Sequence, residues 1–175
     1  MRVRTATPRC SWLLVVTAVL FVMSARPLSA TMVERMDLAQ VAREAASIVQ
    51  GTVRAVESGR DEAGLPATWV TVAVARTVKG AAGTELRFKQ YGVAAPLADG
   101  TVTRIPGLAR YAVGDEVVLF LHGESARGFT SPVGLAQGVY RVHRANGRAV
   151  VRDDLGGPPR SLEAFLADTA ARVGK

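Results

Sequence analysis

The run Glu116 to Leu121, EVVLFL, most limits what this chain can become. Five successive apolar residues leave neither face of a strand for water, so the segment must be buried on both sides. Gly114-Asp115 turn the chain into it. Neighbouring segments alternate instead. In Trp69 to Val78, Val70, Val72 and Val74 interleave with Thr71, Ala73 and Ala75. In the returning segment Thr84 to Tyr91, Leu86 and Phe88 take one face while Arg87 and Lys89 take the other.

More strands follow the same logic. Ile48 to Val56 is β-branched and carries Gly51, the mark of a bulge or a close backbone approach. Val139 to His143 and Arg148 to Arg152 flank an Asn146-Gly147 hairpin signal. The polar stretch Glu57 to Ala67 reads as a loop, and Lys79 to Gly83 as a turn. Gly92 to Gly107 is a long connection with Pro96, Asp99-Gly100 and Pro106-Gly107; a small hairpin around Asp99-Gly100 would return through Thr101 to Arg104. Asp37 caps a short helix, with Gln40 three residues on and Leu38, Val41, Ala42 and Ala45 on one face, ending near Ser47. Ser161 opens a second helix after Pro158-Pro159, with an apolar stripe of Leu162, Phe165, Leu166 and Ala170. Five or six strands between two terminal helices predict a mainly β fold, a small antiparallel barrel in one domain.

The first thirty residues are a different object. Arg2, Arg4 and Arg9 precede the uncharged apolar run Ser11 to Met23, and Leu28-Ser29-Ala30 offers a small residue for cleavage. That is the order of a secretory signal peptide over residues 1–30, leaving 31–175 as the mature domain, exported to the periplasm or beyond. The apolar run is shorter than the roughly 18 residues needed to span a bilayer, so no stable anchor is expected after cleavage. Cleavage would remove Cys10, the only cysteine, so the domain would be held by its core without a disulfide. It would also remove four arginines and no acid, taking the net charge from +7 to +3. Most of the basic excess thus belongs to targeting, and with export this argues against a nucleic-acid partner.

Gly134 and Gly138, in SPVGLAQGVYRV, have neither the spacing nor the Lys-Ser/Thr of a phosphate loop, and they lead into a strand rather than a helix. They read as a bulge or tight curvature at a strand entry.

Four segments in order, Ala46 to Val53, Val74 to Gly80, Gly114 to Leu121 and Val133 to Gly138, carry a G-x-V strand, a V-K-G turn, a G-D-E-x-V-L-F-L strand and a G-L-x-Q-G segment. Over roughly residues 37–143 this resembles a group of exported bacterial proteins of unassigned function. It is more distantly similar to netrin-like domains and the tissue inhibitors of metalloproteinases. That resemblance implies an OB-like antiparallel barrel, here with a short N-terminal helix and a C-terminal helix, and a protein-binding role. Those inhibitors reach the target's zinc with an N-terminal cysteine; a chain without one after cleavage cannot inhibit by that route.

No catalytic constellation stands out. Asp115 and Glu116 are adjacent on a strand and point to opposite faces, so they would not share a substrate, and Asp115 suits a turn-backbone bond. His122 and His143 lack the spacing and ligand count of a zinc site, and no cofactor is expected. Ser131, His122 and Asp153 form a triad only on paper. The cations are more suggestive. Arg87 and Lys89 share one face, Arg141 and His143 another, Arg148 and Arg152 a third; were those strands neighbours, they would form a cationic stripe on a barrel wall. Trp69, at a strand start, is expected half-buried. The expected function is a non-enzymatic exported module. It would bind an exported protein or an envelope polyanion through Arg87, Lys89, Arg104 and Arg141, with the Gly92–Gly107 loop beside them. The alternatives are a hydrolase or metal-dependent enzyme with an unrecognised site around His122, His143 and Asp153, and a structural envelope protein that self-associates through an edge strand.

Overall fold

A computed structural model describes residues 35–173; the segment read as a signal peptide, with Cys10 and Ala30, lies outside the described residues. The fold is mainly β. In chain order the elements are α1 (Leu38–Glu44), β1 (Ser47–Arg60), β2 (Pro66–Lys79), β3 (Glu85–Tyr91), β4 (Glu116–Leu121), β5 (Val139–Ala145), β6 (Arg148–Asp153), β7 (Arg160–Ser161) and α2 (Leu162–Val173). The strands make one antiparallel sheet in the order β3-β2-β1-β4-β5-β6-β7. The sheet is not closed: β3 is one edge and the two-residue β7 the other. Among the described residues no helix is long and apolar enough to cross a membrane.

The apolar run is the centre of the sheet, as its composition requires. Val117 to Leu121 are buried without exception. Val118 and Phe120 enter a core with Ile48 of β1 and the helical residues Val41, Ala42, Leu162, Phe165 and Leu166. Val117, Leu119 and Leu121 enter a second core with Val49, Val53, Val70, Val72, Phe88 and Tyr111. One core is roofed by the helices; the other is wrapped by β1, β2 and β3 and by the connection after β3. Phe120 stacks at 6.2 Å on Phe165 and at 5.4 Å on Tyr140, tying β4 to α2 and β5.

Such wrapping needs strong curvature, and β1 supplies it. Its pairing with β2 shifts register at Ile48/Val49, Gln50/Gly51 and Val53/Ala55. At Gly51 an added Cβ would stand 2.3 Å from the carbonyl oxygen of Ala73, so the close backbone approach expected there is real. The stretch 57–67 is strand at both ends, not loop throughout: β1 continues to Arg60 and β2 starts at Pro66, leaving a short turn. Polar residues are tolerated because Glu57 pairs with Trp69 and Ser58 with Thr68 of β2, which β3 flanks on its other side.

The glycine pair also resolves structurally. Pro132 opposes Leu121 and Val139 opposes Leu119, so residues 133–138 all stand against Phe120 alone. The Phe120 N–H donates to Gly138 O at 2.8 Å, and its carbonyl accepts from Val133 N–H at 2.9 Å. A Cβ on Gly138 would lie 2.7–2.8 Å from the Val133 backbone and Phe120 O, so only glycine fits this excursion.

The helices sit where capping and periodicity put them. Asp37 accepts the Gln40 N–H at 2.7 Å, and α1 ends at Glu44, slightly before Ser47. In α2 the fourth stripe residue is Thr169, not Ala170, which is exposed. Thr169 is tolerated in the core because its hydroxyl donates to Phe165 O at 2.8 Å.

Phe120→Ala should cost about 3–5 kcal/mol, since it opens a cavity between strand and helix. Urea unfolding followed by circular dichroism checks it; a loss below about 1 kcal/mol would mean that β4 does not carry the helix-side core.

Candidate functional site

The turn between β1 and β2 organises the surface. Asp61 accepts N–H bonds from Ala63 at 3.0 Å and Leu65 at 2.9 Å, and its other oxygen meets Lys89 Nζ at 3.0 Å. Side-chain exposure is only 7% for Asp61 and 18% for Lys89. The Lys89 hydrogen bond, then the Leu65 amide, hold the Asp61 carboxyl below its ordinary range. The same ammonium lies 4.2 Å over the Phe129 ring, and the Lys89 carbonyl accepts Thr130 N–H at 2.7 Å. Lys89 therefore staples β3, the turn and the 129–130 segment together, and its charge is already engaged.

Arg87, one position along the same face, is different. Its guanidinium meets Glu57 at 3.1 Å, with both side chains more than half exposed, and lies 5.8 Å over Trp69. Trp69 is half-buried as expected; its ring covers Gly59, filling the space of a missing side chain. Trp69, Arg87, Lys89, Glu124 and Arg127 bound an open groove of about 570 Å³.

The long connection after β3 is not slack. Arg60 donates to Asp99 at 2.8 Å and to Thr101 Oγ1 at 2.7 Å. Ala94 N–H donates to Ser58 Oγ, and Gln90 Nε2 to Ala109 O. Val93 N–H donates to Thr103 O and Leu97 N–H to Thr101 O, so the chain doubles back around Asp99-Gly100 as expected, but with hairpin-like bonds and no strand ladder. Thr101, then Arg60, hold the Asp99 carboxyl well below its usual range. Beneath lies a cavity of about 40 Å³. Of its lining side chains, Gln90 Oε1 and the Tyr111 hydroxyl have no hydrogen-bond partner among the described residues, and burial pushes the Tyr111 phenol above its ordinary pKa.

This connection exposes several large apolar side chains. Five large hydrophobic side chains are exposed among the described residues, and four of them, Tyr91, Val102, Ile105 and Val113, fall between 91 and 113. Arg104 stands exposed between Val102 and Ile105. These side chains were legible only as apolar residues placed, against composition, in a Gly/Pro-rich connection.

The cationic stripe forms only in part: β5 and β6 are neighbours, with Arg141 opposite Arg152, but β3 lies elsewhere in the sheet. β3 and β5 are separated by β2, β1 and β4, so Arg87 and Lys89 are not beside Arg141. The arginines of β5 are matched locally. Arg141 reaches Asp115 at 2.7 Å, Asp154 at 2.8 Å and Arg110 O at 2.7 Å. Arg144 grips Glu116 through two bonds of 2.6 and 2.7 Å, and with Gln50 lowers that carboxyl's pKa. The neighbouring carboxylates Asp115 and Glu116 thus serve different arginines, and Asp115 also accepts the Ala112 N–H of its turn, as expected.

His122 and His143 are at opposite ends of the β4–β5 pair. By register they are seven positions apart, roughly 23 Å at ~3.3 Å per residue. Asp153 pairs with Tyr140 and accepts Gly157 N–H at 2.6 Å. Ser131 meets His122 only through a backbone bond. Among the described residues no three His, Cys, Asp or Glu side chains are grouped to hold a metal ion.

Two outcomes follow. Lys89→Ala should lower the unfolding midpoint more than Arg87→Ala, because it strips a nearly buried carboxylate of its partner; equal effects by differential scanning fluorimetry would refute the staple. Asp61, Asp99, Glu116 and Asp168 all have lowered pKa values. Their contribution is complete above the unfolded carboxylate range, about pH 4, and is lost as pH falls through the folded values. Melting temperature should be flat from pH 7 to about 5 and decline below about 4; a decline starting near pH 6 would point to other groups.

Set against known proteins, the chain matches no family model and no curated protein.

Proposed function

We propose that this chain is an exported, non-enzymatic binding module. Its partner is another exported protein, and its working surface is the 91–113 segment with the Arg87 face beside it. The observation that carries this is the concentration of exposed apolar side chains on a connection tied down by Arg60, Ser58 and Gln90. A fastened loop loses little entropy on binding, so Val102 and Ile105 can serve as anchors, with Arg104 between them for an acid. An envelope polyanion fits less well, since Lys89 and Arg141 are occupied by carboxylates of their own chain.

An OB-like barrel is proposed as the frame. It is supported by two isolated bridges outside the ladder, Leu121 with Pro132 and, in parallel, Lys89 with Phe129. Through them the 129–132 segment runs from the central strand to the free edge of β3, which is how a barrel of this kind would close.

The test is affinity capture from native periplasmic and culture-fluid extracts, with wild-type chain and a Val102→Ser, Ile105→Ser variant immobilised in parallel. One protein held near stoichiometrically by wild type and reduced about tenfold or more on the variant is expected. Equal retention on both columns would move the binding surface elsewhere, and an empty wild-type column would refute a protein partner in those extracts.

A further inference from the structure

The free edge of β3 has a partner written into its own sequence. Gly92 N–H donates to Pro66 O, and Val74 N–H to Thr84 O, so the even-numbered residues of β3 bond to β2. The odd-numbered residues turn their N–H and C=O groups outward. Of these, Lys89 is taken up by the Phe129 bridge and Thr130 N–H. Tyr91 lies beyond that bridge, its ring 5.7 Å from Phe129. Before the bridge Glu85 and Arg87 remain, both exposed, with no hydrogen bond to their outward backbone groups among the described residues.

We propose that two copies of this chain pair edge to edge through β3, antiparallel about a two-fold axis at Leu86, joining their sheets. Charge selects both the partner and the register. Outward-facing residues must meet outward-facing residues, which leaves three alignments over this short edge. Centring on Glu85 sets two glutamates face to face, and centring on Arg87 sets two arginines face to face; both are repulsive. Centring on Leu86 puts Glu85 of each copy opposite Arg87 of the other, making two ion pairs and a closed set of four backbone hydrogen bonds. A self-complementary contact of this kind is what a two-fold axis demands.

The lengths also agree. In this alignment the second copy's strand leaves the ladder at Thr84, where its Gly80–Gly83 turn begins, so it is gone before Lys89, where Phe129 already occupies the edge. Among the described residues Glu85 has no ion-pair partner, while Arg87 has Glu57 on the same face and can bridge the two acids. The short span makes this a weak, concentration-dependent contact, weakened further by salt.

The test is sedimentation of the purified protein, as the cell processes it, over micromolar to millimolar concentration at low salt. Wild type should dimerise. Arg87→Glu or Glu85→Arg alone should raise the dissociation constant about tenfold or more, and the double variant Glu85→Arg, Arg87→Glu should return it to near the wild-type value. Both side chains are exposed, and circular dichroism of each variant confirms the fold. A wild type that stays monomeric throughout, a dimer indifferent to the single reversals, or a folded double variant that fails to recover would each overturn the proposal.

Discussion

A strand with no face for water must be covered twice, and the rest of the molecule follows from that requirement. β4 divides its side chains between two cores, Val118 and Phe120 toward the helices and Val117, Leu119 and Leu121 toward the wrapped side of the sheet. An open antiparallel sheet commonly leaves one face wet. Here two terminal helices supply one cover, and the curvature of β1 and β2, with Ala109 and Tyr111 from the connection after β3, supplies the other. This is how a domain with no cysteine among its described residues buries enough apolar surface to hold itself together.

Much of this was legible in the sequence, and the reasons are local. EVVLFL announces its burial, and Val70, Val72 and Val74 announce their face by period alone. Asp37 and the Asn146-Gly147 turn act through their nearest neighbours. What escaped depends on partners distant in the chain. Residues 57–60 look like loop because their polarity is visible while their pairing with β2 is not. Thr169 looks out of place in a core until its own helix accepts its hydroxyl proton. The candidate site was legible in part. Arg87 and Lys89 were placed correctly on one strand face, but nothing local reveals that Asp61 claims Lys89 while Arg87 stays exposed, or that three strands separate them from Arg141.

The surface chemistry has a consistent division of labour. Arginines on β5 are absorbed by carboxylates at the entrance to β4, where they hold the strand ends in register. The turn after β1 gathers Lys89 and secures β3. Arg60 secures the connection beyond it. With many charges matched at home, two features stand out among the described residues: the exposed apolar side chains of residues 91–113 and the bare backbone of β3.

The sheet order has a temporal consequence. β1 is flanked by β2, its neighbour in the chain, and by β4, which arrives about 70 residues later. The ribbon of β1, β2 and β3 can zip locally, but one long side of β1, carrying Ile48 and Val49, stays unpaired until β4 is in place. The closing step bears most of the chain-entropy cost and seals both cores at once. Assembly is therefore all-or-none around a late-arriving strand, and the chain's most aggregation-prone interval is the wait for it.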